Sequence, residues 1–210
     1  MQIDDSIKNI IFDFGGVILN IDYKLTEQAF TKLGIEDFDS IYSQAVQKEL
    51  FDVFEKGLMS PEDFRKGLRK YIEREVSDSE IDNAWNAMLL DLPEERIILL
   101  DKLRKNYRLF LLSNTNEIHY NSFLAYMKNK FRRDIFSEVF EKAYVSHQIH
   151  LRKPDAVIFE FVLRENSLRK EETLFIDDSI QHIEGAKRVG LKTLFLEKGK
   201  TILDLFNLLA

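Results

Sequence analysis

The sequence predicts an α/β fold in which a parallel sheet is covered by helices and interrupted once by a helical insertion. Five short apolar runs recur along the chain and alternate with segments of helical periodicity. Strands of a parallel sheet are buried on both faces, so they read as continuous apolar runs. The predicted strands cover residues 10–12, 109–112, 143–145, 174–176 and 193–196.

The segments between these runs carry helix signals. Pro154 and Asp155 indicate the start of one helix, Ser179 can cap another, and Gly190 is typical of a helix end. The predicted helices cover residues 94–105, a segment after the turn at 114–116, and residues 155–165, 180–189 and 202–209.

About seventy residues after the first strand lack any strand signal and show helical periodicity instead. Ser60 and Ser77 are each followed by acidic residues, which is typical of helix starts, and we expect roughly four helices here. The sequence thus predicts a core of residues 1–19 and 92–210 and a helical unit of residues 20–91. Inserted between the first two strands, that unit would lie over the sheet edge as a lid.

Composition excludes several classes of function. The chain has 210 residues, is 45% hydrophobic and carries a formal charge of −6, which disfavours a general nucleic-acid binder. It contains no cysteine, so disulfides and thiolate chemistry are excluded. No segment has the uninterrupted apolar length of a membrane span or the pattern of a signal peptide. We expect a soluble cytoplasmic protein, monomeric or homodimeric, without nucleic-acid or membrane partners.

Polar side chains capable of chemistry lie at or near the ends of the predicted strands. Asp13 follows the first, Ser113 the second, and Asp177 with Asp178 the fourth, while Lys153 comes soon after the third. Ligands of open α/β sheets bind beyond the carboxyl ends of the strands, which is the edge where these side chains would meet.

Carboxylates that converge at one edge need a cation, because like charges at close range raise one another's pKa. Mg²⁺ prefers hard oxygen ligands and is often shared between one or two carboxylates and a phosphate. The candidate metal ligands are therefore Asp13, Asp177 and Asp178. Lys153, the Ser113 hydroxyl and the Asn114 backbone N–H would then contact the phosphoryl oxygens.

These residues resemble the motifs of the haloacid dehalogenase superfamily of aspartate-nucleophile phosphatases, in order and spacing and over essentially the whole chain. The insertion is similar to that family's C1 helical cap. The matching segments are Asp13-Phe14-Gly15-Gly16-Val17, Ser113-Asn114-Thr115-Asn116, Arg152-Lys153-Pro154-Asp155 and Asp177-Asp178.

The resemblance implies a Rossmann-like core and a Mg²⁺-dependent phosphatase that acts on a small phosphorylated metabolite. Asp13 would form an aspartyl-phosphate that water hydrolyses. The Gly15 carbonyl would be a further Mg²⁺ ligand, and Gly16 would lie at the phosphate with Ser113, Asn114 and Lys153.

Two positions depart from the family pattern. Many members carry a second aspartate, the general acid, where this chain has Gly15, and His182 stands where Asn or Asp is common. The subset with the Asp-x-Gly-x-Val form resembles sugar-phosphate phosphatases of the glucose-1-phosphate type. Leaving groups of low basicity are favoured without that acid. Asp22 is the first candidate for a surrogate acid, ahead of His119 and His182.

Three other interpretations remain open from the sequence. Dehalogenation occurs in the same superfamily but needs no metal, which would leave Asp177 and Asp178 without a use. A phosphate-binding module that lost turnover is a second alternative, since Gly15 replaces the usual acid. A phospho-accepting receiver domain is a third, although its acidic pair comes first in the chain.

Overall fold

The computed structural model describes residues 4–35, 38 and 45–206, with the side chains of residues 45–49 excluded. Its five strands are β1 Asn9–Phe12, β2 Arg108–Ser113, β3 Lys142–Val145, β4 Thr173–Asp177 and β5 Lys192–Phe195. The described α-helices are α1 Tyr23–Leu33, α2 Ala45–Glu55, α3 Pro61–Arg69, α4 Asp78–Asn86, α5 Glu94–Leu103, α6 Glu117–Phe131, α7 Ile135–Val139, α8 Ser146–Ile149, α9 Ala156–Glu165, α10 Ile180–Val189 and α11 Ile202–Leu205.

All five predicted strands are confirmed, and they form one parallel sheet in the order β3-β2-β1-β4-β5. The strand β1 is central, with Phe12 opposite Leu111 of β2 and Ile176 of β4. The strand order changes direction around β1, which is the position where open α/β sheets bind their ligands.

Both faces of the sheet are buried, as the apolar runs predict. Alternate residues of β1 point to opposite faces: Ile10 and Phe12 pack in one apolar cluster and Ile11 in another, all with 0% exposure. At about 25 cal/mol per Å² of apolar surface, such fully buried side chains each contribute about 1.5–3 kcal/mol to folding. The rigid centre of the sheet is therefore the element that carries Asp13.

The helices α1 to α4 lie between β1 and β2 in the chain and build an apolar cluster of their own. Its centre is aromatic: Phe54 stacks on Phe64 with centroids 4.1 Å apart, and Trp85 stacks on Phe51 at 5.3 Å. The side chains of Ser60 and Ser77 cap α3 and α4 as predicted. Four helices are described in this stretch, while the division of the chain into residues 20–91 and a core stays a prediction.

The observed helices differ from the predicted ones in a few local details. The helix α5 ends at Leu103 rather than at residue 105, and α11 is described only to Leu205, while residues 207–209 lie outside the described part. Ser179 occupies the N-cap position of α10, but its side chain makes no capping hydrogen bond. Its backbone N–H instead donates to Asp177. Among the described residues, no helix combines the length and the apolar character needed to cross a bilayer.

The carboxyl end of α2 contacts the segment that follows β3 through hydrogen bonds and ion pairs. The Ser146 hydroxyl oxygen lies 2.6 Å from the carbonyl oxygen of Glu55, and Arg152 forms ion pairs with Asp52 at 2.5 Å and Glu55 at 2.9 Å. Gly57 has a φ of +64°, and a Cβ there would come within 1.9 Å of the His147 carbonyl oxygen. Only glycine allows this close approach, which places the chain just after α2 directly against the segment that follows β3.

Candidate active site

Three neighbouring strands bring polar side chains to one edge of the sheet. Asp13 follows β1, Ser113 ends β2 and Asp177 ends β4. Because the strands are parallel, their carboxyl ends lie at the same edge. All three residues are buried, with exposures of 7%, 3% and 0%.

Asp13, Asp177 and Asp178 form an acid cluster in which one carboxylate oxygen of each residue lies within 4.8 Å of the others. Oxygens on opposite sides of a Mg²⁺ ion are about 4.2 Å apart, since each lies about 2.1 Å from the ion. Small side-chain adjustments would therefore bring all three oxygens around one cation. The structure places the three predicted metal ligands together.

Lys153 forms hydrogen bonds with two members of the acid cluster. Its ammonium group is fully buried and donates to Asp13 Oδ1 and Asp177 Oδ2, each at 2.7 Å. Asn114 holds the backbone of the lysine in place. Its side-chain amide accepts a hydrogen bond from the Lys153 backbone N–H and donates one to the Lys153 carbonyl, each at 2.9 Å. The sequence suggests Asn114 only as a backbone donor, so this positioning by its side chain is a finding of the structure.

The charges of the acid cluster act strongly on one another. Burial raises the pKa of Asp13, and Lys153 offsets only part of that effect. Burial also acts to raise the pKa of Asp177, but Lys153 and His182 outweigh it, so the net direction is down. The His182 Nδ1 atom lies 3.0 Å from both carboxylate oxygens of Asp177, which is a contact that the residue type alone does not predict.

Asp178 contributes the third charge of the acid cluster. Burial, followed by the nearby charges of Asp13 and Asp177, raises the pKa of Asp178 to about 7. Gly16 leaves room for this carboxylate: its φ is +78°, and a Cβ would lie 2.0 Å from Asp178 Oδ2. The Gly16 N–H donates to the Leu19 carbonyl at 2.8 Å, and its predicted contact with phosphate stays a prediction.

The donor set fits Mg²⁺. Carboxylate oxygens are its preferred ligands. Burial is the main cause of the raised pKa of Asp178, and the charges of Asp13 and Asp177 add to it. A bound divalent cation would lower the pKa of Asp178 and of Asp13 and would so favour their ionised forms. Asp13, Asp177 and Asp178 would hold the ion, while the Gly15 carbonyl remains a predicted ligand.

The candidates for a surrogate acid differ in their surroundings. Asp22 is exposed at the N-cap of α1, where its Oδ1 accepts from the Lys24 N–H at 3.0 Å, and its catalytic role stays a prediction. His119 is buried, and its Nε2 donates to the Trp85 carbonyl while its Nδ1 accepts from Asn116. Burial lowers the pKa of His119 to about 4. A neutral imidazole with both nitrogens engaged is not suited to donate a proton.

A cavity of about 200 Å³, the Glu55 cavity, is lined by residues of α1, α2 and α4 and by residues that follow β2. The sequence did not identify Glu55, which lies in the cavity wall, or its ion-pair partner Arg152. No local pattern links two residues so distant in the chain. Its wall includes Thr26, Glu27, Glu55, Trp85, Asn114 and His119.

Comparison with known proteins identifies the family of this chain and several relatives. Residues 10–196 match the family of haloacid dehalogenase-like hydrolases. The chain is 35% identical over 193 residues to a D-ribitol-5-phosphate phosphatase of Bacteroides thetaiotaomicron, a match that covers 92% of this chain and 93% of that protein.

Two solved structures share the fold over nearly the full length. A haloacid dehalogenase family enzyme of Bacteroides thetaiotaomicron, in complex with magnesium and inorganic phosphate, is 37% identical, with a TM-score of 0.85 and coverage of 95% of this chain and 99% of that one. A haloacid dehalogenase-like hydrolase of Porphyromonas gingivalis is 31% identical, with a TM-score of 0.87 and coverage of 97% and 98%.

The expected Rossmann-like fold is confirmed, and so is the expected enzyme class, a Mg²⁺-dependent phosphatase of this superfamily. With the acid cluster, its bridging lysine and a family match over residues 10–196, the chain belongs to the haloacid dehalogenase-like hydrolases.

Proposed function

We propose that this phosphatase acts on a small sugar or polyol phosphate, with Asp13 as the nucleophile and Mg²⁺ held by the acid cluster. The observation that carries the proposal is the acid cluster at the end of β1, with Lys153 bridging Asp13 and Asp177. Support for the substrate class comes from the similar phosphatase that is named for D-ribitol 5-phosphate.

In the proposed reaction, a carboxylate oxygen of Asp13 forms a bond to phosphorus while the bond from phosphorus to the substrate oxygen breaks. Water then hydrolyses the aspartyl-phosphate, which regenerates the carboxylate and releases inorganic phosphate. Bound Mg²⁺ would supply positive charge that allows the Asp13 carboxylate to approach the anionic phosphoryl group of the substrate. Lys153 fixes the orientation of Asp13 and has a third N–H for a phosphoryl oxygen, and Ser113 and the Asn114 N–H are the other proposed donors.

The leaving oxygen needs a proton, and Gly15 has no side chain to supply one. A substrate whose leaving group is weakly basic, such as an anomeric phosphate, needs less of this help. We propose Asp22 as the acid for more basic leaving groups, since it opens α1 where the chain leaves the sheet edge.

The test of the function is phosphate release from a panel of pentitol, pentose, hexose and aryl phosphates, with Mg²⁺ and with excess chelator. We expect turnover with Mg²⁺ and its loss on chelation, because the acid cluster would again repel the phosphoryl group. Turnover of haloacids that survives chelation would instead indicate a dehalogenase. Binding of phosphate without turnover of any monoester would indicate a phosphate-binding module.

Replacing Asp22 with Asn tests the proposed acid. We expect kcat for alkyl phosphates to fall about 10²-fold, the lower end of a general-acid contribution, and kcat for an aryl phosphate to change little. The measurement is kcat on the two substrate types side by side. Because Asn also caps helices well, α1 should keep its stability. An equal loss on both substrate types would exclude Asp22 as the acid.

A further inference from the structure

The Glu55 cavity lies beside the residues that hold the acid cluster. Asn114 lies in its wall, and this residue holds Lys153 in position under Asp13. Glu55, another residue of the wall, pairs with Arg152 at 2.9 Å, and Arg152 directly precedes Lys153 in the chain. A substrate with its phosphoryl group at Asp13 would therefore extend its non-reacting part into this cavity.

The size of the cavity limits that part of the substrate. A volume of about 200 Å³ has room for roughly seven water molecules at about 30 Å³ each. It is smaller than the pockets of about 300–1,000 Å³ that enclose drug-sized ligands. A chain of a few hydroxylated carbons fits this space.

The charge of the cavity wall limits the substrate further. The charged side chains in the described wall are two carboxylates, Glu27 and Glu55, and that part of the wall contains no lysine or arginine. Burial raises the pKa of Glu55, while Arg152 acts in the opposite direction. An anionic group at the far end of the substrate would meet like charge in a poorly solvated space.

Contacts to both the backbone and the side chain hold Glu55 in place. It ends α2, its carbonyl oxygen contacts the Ser146 hydroxyl, and its carboxylate pairs with Arg152 at 2.9 Å. Arg152 itself is not among the residues of the described cavity wall. A carboxylate has about four acceptor positions, and the pair with Arg152 leaves some of them for a ligand.

Other polar groups of the wall are used by the protein itself. The Thr26 hydroxyl donates to the Trp85 carbonyl at 3.0 Å and accepts from the Met88 N–H at 3.1 Å. Both ring nitrogens of His119 are also engaged. These side chains shape the cavity, and Glu55 is the group that combines acceptor capacity with a fixed orientation.

We propose that Glu55 determines specificity by accepting hydrogen bonds from hydroxyl groups of the substrate's non-reacting part and by repelling a second anionic group. This inference rests on the proposed function and adds to it the residue and the chemistry of selection. The preferred substrate is thus a short monophosphate with an uncharged, hydroxylated chain. Trp85 contributes apolar surface to the same cavity.

Three phosphomonoesters with five-carbon chains test the proposal: pentitol 5-phosphate, pentonate 5-phosphate with a terminal carboxylate, and n-pentyl phosphate. For the unmodified enzyme with Mg²⁺, we expect kcat/KM for the pentitol ester to exceed that for the other two by about 10²-fold. The carboxylate of the pentonate meets like charge, and n-pentyl phosphate leaves Glu55 without its hydrogen bonds. Equal hydrolysis of pentitol and pentonate esters by the unmodified enzyme would overturn the proposal without any variant.

The variant Glu55→Gln removes the charge and keeps the shape. We expect kcat/KM to fall about 10–100-fold for the pentitol ester, to stay within about 3-fold for n-pentyl phosphate and to rise for the pentonate ester. The control Glu62→Gln removes an exposed carboxylate of α3, 72% accessible, and should leave all three values unchanged. Equal losses on the three esters would show that Glu55 only supports the fold and would refute the proposal. If the unmodified enzyme hydrolyses no monoester at all, the proposed function itself is wrong.

Discussion

Replacing Asp13 with Asn is expected to lower kcat for phosphate release by about 10⁴-fold or more, because an amide oxygen is a poor nucleophile. Burial raises the pKa of Asp13, so its negative charge is costly in the metal-free fold. Removing that charge should therefore leave the melting temperature within a few degrees of the original. The measurements are kcat for the best ester of the panel and thermal unfolding.

Rapid quenching followed by mass spectrometry adds a direct view of the intermediate. The unmodified enzyme should yield a phosphorylated peptide that contains Asp13, and the variant should yield none. Asp5→Asn is the matched control, since it removes a carboxylate from an exposed turn and should keep full activity. Substantial turnover by Asp13→Asn would mean that another group attacks phosphorus.

Sequence reasoning was most successful where one local pattern has one structural outcome. The run Ile10-Ile11-Phe12 is too apolar to have a solvated face, so it could only be a strand buried on both sides. Once the strands are parallel and neighbouring, the positions of Asp13, Ser113 and Asp177 at a common edge follow from geometry. The fold and the location of the acid cluster were therefore predictable.

Contacts between distant segments were not predictable. Arg152 and Asp52 are 100 residues apart, and the charges around them have no periodicity that would suggest a pair. Asn114 and Lys153 are 39 residues apart, and their contact uses the lysine backbone, which any residue type could supply. Such pairs depend on how α2 and the segment after β3 pack, and a single sequence does not record that packing.

Residue type was also a poor guide to the state of a side chain. His119 follows the second motif and suggests a proton donor, but its burial lowers its pKa to about 4. Gly16 is predicted to lie at the phosphate, and the structure adds a close approach by Asp178 that the residue type does not indicate. In both cases neighbours from other parts of the chain decide the outcome, and the sequence does not identify those neighbours.

Replacing Lys153 with Met is expected to reduce both activity and stability, unlike the change at Asp13. The ammonium group is fully buried, and its loss leaves Asp13 and Asp177 without their shared counter-charge. Removing one partner of a buried ion pair costs about 3–5 kcal/mol. In a chain of this length each kcal/mol corresponds to about 2–4 °C, so the melting temperature should fall by about 10 °C.

The pH dependence of this loss follows from the direction of the pKa shifts. Burial acts to lower the pKa of Lys153, but the charges of Asp13 and Asp177 outweigh it and raise the pKa above 10.5. The contribution of the lysine to stability is therefore fully present at neutral pH and disappears only as the pH rises through that raised value. Without the lysine, protons have to neutralise the carboxylates, so the deficit of the variant should shrink as the pH falls from about 8 to 5.

Thermal unfolding of Lys153→Met across this pH range, with and without Mg²⁺, provides the measurement. Added Mg²⁺ should recover part of the stability, because a cation in the acid cluster replaces some of the missing charge. The control Lys66→Met removes a surface ammonium group, 60% exposed, and should change stability by less than about 0.5 kcal/mol at every pH. A deficit that is constant across pH would mean that Lys153 acts through packing, and the acid cluster would then need another source of neutralisation.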